Sequence, residues 1–426
     1  MTLSVAPFVH AHATHPDWRM ALALAAAQID AQRSEMGATQ APTLGWVYFT
    51  EPYAAEAEAL LADLRLRWPG TQWVGCSGVG VLASGVEYMN EPALALMVSD
   101  LDPGLFQVFS GTRPLAGFRA GAVQVHADPQ ATDLPELLHE LSALTESGRL
   151  FGAVVSGRKL GVQIAEGVLD GGVSGLALHP RVGLISRLTQ GCRTIGPVRR
   201  VTRFERNQVL SLDGRPALSC LLDDLGLSAD SLGAAVPRLG TTLAGLAHGD
   251  ASATEGPDGV SLSAAVHLRR LVGVSPGRGG VALAEDLDDW PGSDAPDEPP
   301  LQLAFCRRDA ASAWRDLVRV CSEIRDELLS DDEAWALSAQ APDTSADASA
   351  VDPTQAWLRA HVAGAIYISC AGRGGDHFGG PSAELHTVRQ ALGDVPLVGL
   401  FAGGEIAGEQ LHAFAGVLTV FLREAV

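Results

Sequence analysis

The sequence predicts an α/β protein with α+β character, in which mixed sheets are flanked by helices across two domains. Three observations carry this. Short apolar, β-rich runs alternate with amphipathic stretches of helical spacing along the whole chain. One strand-helix-strand corner is written twice, near the start and at the end. The 426-residue length exceeds what one core fills, since single cores stop growing near ~250–300 residues.

The first copy of the corner opens with Gly45-Trp46-Val47-Tyr48-Phe49-Thr50 and a helical stretch from Ala54 to Trp68. A Pro69-Gly70 turn leads into Trp73-Val74-Gly75-Cys76-Ser77-Gly78, and the apolar run 93–98 follows. The second opens with Ala365-Ile366-Tyr367-Ile368-Ser369 and a helical stretch from Glu384 to Leu392. It passes through Leu397-Val398-Gly399-Leu400-Phe401-Ala402-Gly403-Gly404-Glu405 to the run 417–422. Both corners end in glycines, which let backbone come close to a ligand or to another chain segment.

The other elements follow in order. Pro16-Asp17-Trp18 starts a helix that Met36-Gly37 ends. Residues 105–108 and 121–126 read as strands, and 133–145 as a helix because Leu134, Leu137, Leu138, Leu141 and Leu144 recur at helical spacing. Strands are expected at 150–155, 172–178 and 182–185, the last two joined by a turn at His179-Pro180. Residues 207–213 extend them, and 217–225 reads as a helix.

A domain boundary is placed between residues 228 and 229, giving domains 1–228 and 229–426. In the second, 235–247 reads as helical or irregular, 263–274, 281–284 and 301–307 as strands, and 309–329 as a long amphipathic helix. Residues 288–300 and 338–353 read as insertions with too little apolar content to pack.

Composition excludes several functions. Thirty basic against fifty acidic residues leave a formal charge of −20, which repels phosphate backbones and anionic lipid. Neither nucleic acid nor membrane is expected as a partner. The alanine- and leucine-rich segment 20–29 is too short and too soon interrupted by polar residues for a signal or spanning helix. Six cysteines without a CxxC pair read as reduced thiols of a cytoplasmic protein.

The ordered motifs resemble the FIST family, named for F-box and intracellular signal transduction, with a FIST N-terminal and a FIST C-terminal domain in tandem. Val74-Gly75-Cys76-Ser77-Gly78, Gly191-Cys192-Arg193-Thr194-Ile195-Gly196-Pro197 and 212–218 carry the N-terminal match. Arg307-Arg308-Asp309, Ser369-Cys370-Ala371-Gly372-Arg373-Gly374 and 399–406 carry the C-terminal one. Thr194 stands where the family usually has proline. The resemblance covers about 18–422 and implies a sensory module that binds a small ligand, an amino acid or related metabolite, and acts with a signalling protein partner.

The residues leave the chemistry open. Cys76, Ser77 and Gly78 read either as a backbone amide nest with an activated thiol or as a tight strand exit around a buried cysteine. Cys370 and Arg373, in a glycine-rich loop, read as a carboxylate site or a salt bridge. Gly404 and Glu405 offer a carboxylate for a ligand ammonium, complementing Arg373 at the other end of an amino acid, or else a turn cap or a partner for Arg373 itself. Cys192 with Arg193, and Arg158 with Lys159, read as ligand contacts or as paired surface charge.

His10, His12 and His15 lack completing ligands, so no metal is expected, and no cofactor or catalytic residue is assigned. The expectation is a cytoplasmic, non-catalytic sensor for an amino acid or small carboxylate, bound between the two domains. A cysteine-dependent hydrolase or transferase using Cys76, Cys192 or Cys370 is one rival. A protein-interaction adaptor is the other.

Overall fold

The structure, a computed structural model, describes residues 8–131, 133–157, 161–228, 238, 241–248, 254–256, 259–261, 266–284, 286–287, 300–329 and 353–423. Arg158, Lys159 and most of both expected insertions lie outside these residues. Compactness divides the chain into a unit of 1–189 with 317–426 and a unit of 190–316. Residues from both ends of the sequence therefore share the first unit.

The first unit begins with β1 (Val9–Thr14) and α1 (Trp18–Glu35), whose N-cap is Asp17, with Pro16 just ahead of it. Then come β2 (Leu44–Thr50), α2 (Ala57–Arg67) and β3 (Gln72–Gly78), with β2 and β3 parallel. A hairpin of β4 (Gly80–Ala83) and β5 (Val86–Met89) follows, and β6 (Ala93–Ser99) returns antiparallel to β2.

The same plan then recurs where the sequence shows no obvious echo. After β7 (Phe106–Ser110) come β8 (Ala120–Ala127), α3 (Leu134–Ala143) and β9 (Thr145–Val154), with β8 and β9 parallel. The hairpin is β10 (Gln163–Ala165) with β11 (Val168–Leu169), and β12 (Val173–Leu178) returns antiparallel to β8. β13 (Leu184–Gln190) closes this stretch. The turn at His179-Pro180 makes no hairpin, because β12 and β13 belong to different sheets.

Among the described residues, the strand pairings of the second unit are all antiparallel. Its elements are β14 (Cys192–Thr194), β15 (Arg199–Glu205), β16 (Gln208–Leu212), β17 (Arg215–Pro216) and α4 (Ala217–Leu225). Next are β18 (Thr242–His248), β19 (Thr254–Gly256), β20 (Gly259–Ser261), β21 (His267–Ser275), β22 (Gly280–Leu283) and β23 (Leu301–Arg308). The stretch 242–247, expected as helical or irregular, is strand: Leu243 and Leu246 are buried between neighbours β21 and β23. Pairing runs β15-β16-β22-β21-β18-β23 and back to β15, so this ring of strands closes on itself and leaves no edge within it. Val209, Leu212, Leu246, Val281, Leu303 and Phe305 fill its core with Leu221 of α4.

The third copy follows α5 (Ala310–Leu328) and α6 (Pro353–His361). It consists of β24 (Val362–Cys370), α7 (Ala383–Leu392) and β25 (Leu397–Ala402), again with the strands parallel. A hairpin of β26 (Gly404–Ala407) and β27 (Gln410–His412) leads to β28 (Ala415–Leu422), antiparallel to β24.

Each copy gives its hairpin away. The first copy's β4 pairs with β25 of the third, the second's β10 with β3 of the first, and the third's β26 with β9 of the second. The exchange is cyclic and completes three six-stranded sheets. One glycine marks the same point in each: Gly75 opposite Val47, Gly152 opposite Val125, Gly399 opposite Tyr367. A Cβ at any of the three would run into that partner's carbonyl oxygen.

Alternate residues then face opposite ways. Trp46, Tyr48, Cys76, Phe151, Ala153, Ile366, Ile368 and Leu400 turn inward to one core shared by the three copies. Their neighbours turn outward beneath helices: Val47 under α1 and α2, Val125 under α3, Tyr367 under α7 and the Leu317–Leu328 part of α5.

Candidate functional site

The parallel strand pairs leave their sheets at three glycine-rich corners, and these corners meet. Ser156, after β9, accepts from the Val79 N–H after β3 (3.1 Å) and donates to the carbonyl of Phe401 in β25. The Gly403 N–H donates to Val154 O (2.9 Å). Side chains at the C-terminal ends of parallel strands are where such sheets usually take ligands.

The third corner holds the charges. Glu405, on β26, is fully buried, and its Oε2 accepts from the Ala415 N–H (3.1 Å). Its Oε1 has no hydrogen-bond partner. Burial pushes its carboxyl up to about 8, against the opposing pull of the Ala415 amide and of Arg373. The Cys370 thiol, at the end of β24, interacts with this carboxyl; burial first, and Glu405 second, raise it far above the thiol range.

Arg373 is also buried, and its partner is one the sequence did not announce. Its Nε and Nη2 donate to Glu384 of α7 at 2.9 and 2.8 Å. Tyr367 Oη and Ser369 Oγ donate to the same carboxylate at 2.6 and 2.9 Å. The Arg373 guanidinium also lies 5.1 Å from the Phe378 ring. Although burial opposes its charge, Glu384 holds it protonated, above the ordinary arginine range. The fork is thus spent on Glu384, while its positive field still reaches Glu405.

Of the predicted residues, Cys370, Arg373, Gly404 and Glu405 gather at this corner. Ser77 is consumed structurally: its hydroxyl accepts from the Val162 N–H (3.0 Å) and its own N–H donates to Val162 O (2.8 Å). Cys76 is fully buried on the inner face of β3, where loss of solvent pushes its thiol well above the ordinary range. Gly78 packs against the Phe401 carbonyl. Cys192 and Arg193 belong to the second unit, opposite Arg308 and Arg307 in β23.

Sequence reading passed over Glu384, and also a buried polar chain on the inner face: Trp46, Tyr48, Gln124 and His126. The signal was available, since Gln124 and His126 alternate with valine in a strand otherwise apolar. Of the three early histidines, His12 bonds the Tyr88 hydroxyl through Nδ1 (2.7 Å). Among the described residues no group of three potential metal ligands converges.

The FIST N domain matches residues 43–215 and the FIST C domain residues 217–408. The chain belongs to the FIST family. Similar proteins include an uncharacterized protein of Mycobacterium tuberculosis, 28% identical over 428 residues that cover 96% of this chain and 98% of the relative. An uncharacterized protein of Mycobacterium bovis is also 28% identical, covering 96% and 97%. Tandem FIST domains imply a sensor role in signal transduction. No helix among the described residues is long and apolar enough to cross a membrane.

Proposed function

We propose that this FIST protein is a cytoplasmic, non-catalytic sensor whose small ligand, a carboxylate such as an amino acid, binds at the corner of Glu405, Cys370 and Arg373. The site draws on both sequence domains, 1–228 and 229–426, because the second copy's β9 and Ser156 adjoin the third copy's β26 and β25 within one compact unit. A signalling protein would read the occupied state.

The observation that carries this reading is the Glu405 carboxyl, fully buried with Oε1 unpartnered. Buried polar atoms are nearly always hydrogen-bonded, so an orphan at a strand exit calls for an occupant. Held protonated at neutral pH, the acid donates from Oε1 to a ligand carboxylate, and the nearby Arg373 charge favours that anion. Cys76 and Cys370 have no comparable support as nucleophiles: a reactive thiol needs a lowered pKa, and burial drives both the other way.

The test is thermal denaturation against a library of amino acids and small carboxylates, for the native chain and Glu405→Ala. A ligand at 100 times its Kd stabilises by about 2.7 kcal/mol. The native chain should respond to at least one compound and Glu405→Ala should not. Silence across the library, with no metabolite co-purifying by mass spectrometry, removes the proposal.

A further inference from the structure

The inner face of the second sheet carries a polar row of which only Glu405 lies within a family motif. Across β27, β26, β9, β8 and β12 the residues in register are His412, Glu405, Ala153, His126 and Ser174. Neighbouring strands lie ~4.8 Å apart, so the His126 and Glu405 backbones stand roughly 10 Å apart with one methyl, that of Ala153, between them. His126 is fully buried, and its Nδ1 has no hydrogen-bond partner.

The hydrogen bonds behind His126 run in one direction. Trp46 Nε1–H can only donate, and it does so to Gln124 Oε1 (2.8 Å). That fixes the amide, whose Nε2 donates to Tyr48 Oη (2.6 Å). The Tyr48 hydroxyl, having accepted, turns its hydrogen to His126 Nε2 (3.4 Å), and Gln124 Nε2 faces the same nitrogen at 3.5 Å. His126 Nε2 is therefore the acceptor and the ring proton sits on Nδ1, pointing away from the chain. Burial keeps the imidazole neutral, its pKa lowered to about 3.

Two fully buried, unpartnered polar atoms thus share one sheet face across an alanine: His126 Nδ1–H and Glu405 Oε1. With Oε2 already accepting from Ala415, a proton on Glu405 belongs on Oε1, which makes both atoms donors. We infer that His126 is a second recognition residue of the Glu405 site, and that the row His126-Ala153-Glu405 receives a carboxylate, one oxygen accepting from each donor. The Trp46-Gln124-Tyr48 chain positions His126 for this, and Ala153 puts only a methyl between the two donors. The inference rests on the small-carboxylate reading and adds to it the depth at which the anion sits and the residue that selects it.

The experiment uses the full chain and sodium acetate, with sodium chloride as the matched control. The ring nitrogens of His126 are followed by 15N NMR and stability by thermal denaturation. The expected results are an Nδ1–H tautomer without acetate, a saturable shift of that proton with acetate, and a rise in melting temperature. Ala153→Val, which fills the row, should abolish both responses. His126→Phe should weaken acetate on the order of ten-fold or more, the loss of one charge-assisted bond.

An Nε2–H tautomer overturns the inference, as does a long-lived water at Nδ1 that acetate never displaces. Stabilisation by acetate that needs Glu405 but leaves the His126 signals unmoved removes His126 and spares the Glu405 site. Loss of both responses in the native chain removes the two together. Should His126→Phe fail to fold, the tautomer, the native titration and Ala153→Val still decide.

Discussion

At the residue scale, the charges at the third corner have divided roles. Arg373 and Glu405 were both legible in the sequence as an arginine and an acid in glycine-rich loops. Their pairing was not, because the partner of Arg373 is Glu384, brought over β24 by α7 from eleven positions along the chain. Removing one member of such a buried pair leaves an uncompensated charge. Arg373→Met should therefore cost ~3–5 kcal/mol in denaturant unfolding, while replacing both Arg373 and Glu384 with apolar residues should recover most of that loss.

Glu405 has a separate signature. Its folded pKa is raised to about 8, so the folded state binds its proton more tightly than the unfolded state does. Its contribution to stability is full below the ordinary carboxyl range and is lost as pH rises through about 8. Glu87, raised to about 7 by burial and then by Glu384, acts in the same direction. Carboxylate binding should follow Glu405, holding steady from pH 6 to 7 and weakening roughly ten-fold per pH unit once the acid ionises. Acetate-induced stabilisation measured from pH 6 to 9 checks this, and affinity that rises with pH would rule out a donor role for Glu405.

At the element scale, one glycine per copy is the feature that sequence and structure share most clearly. Gly75 and Gly399 could be matched by eye because both lie within runs of β-branched and aromatic residues. Gly152 could not: its copy replaces apolar inward positions with Gln124 and His126, and the first half of its β9 reads Thr145-Glu146-Ser147-Gly148-Arg149, which looks like loop. The register shows the equivalence that composition hides.

A side chain at any of the three must displace a backbone carbonyl, which is the costly form of overpacking. Gly75→Ala, Gly152→Ala and Gly399→Ala should each destabilise by ~1–3 kcal/mol or more. Gly167→Ala, whose Cβ would meet nothing within 4 Å, should be close to neutral. Denaturant midpoints for the four variants test the third copy directly; a neutral Gly152→Ala would leave only two. Ser156 is the matching polar element. Ser156→Ala orphans the Val79 N–H, which is half-buried, and should cost ~1–2 kcal/mol.

At the scale of the whole molecule, the exchange of hairpins decides which pieces can fold. The FIST N and FIST C matches meet near residue 216, and by sequence they look like two separable domains. In the first unit they are not separable. Cutting there strips the N-terminal piece of β26 and β27, leaving β9 with an unpaired edge, and strips β25 in the C-terminal piece of β4 and β5. It also opens the shared core, exposing Trp46, Phe151, Ile366 and Leu400 together.

Edges and apolar faces of that kind drive aggregation rather than independent folding. Fragments 1–216 and 217–426 expressed apart should therefore be insoluble or lack cooperative unfolding, whereas co-expression should return a soluble complex with a near-native far-UV spectrum. The hydrophobic term makes the loss large, since the inward side chains of all three copies share one core. If either fragment alone unfolds cooperatively with native-like protection of its strands, the cyclic exchange is not what holds the copies together. The Glu405 corner would then have to be complete within the C-terminal fragment, without β9 or Ser156 beside it.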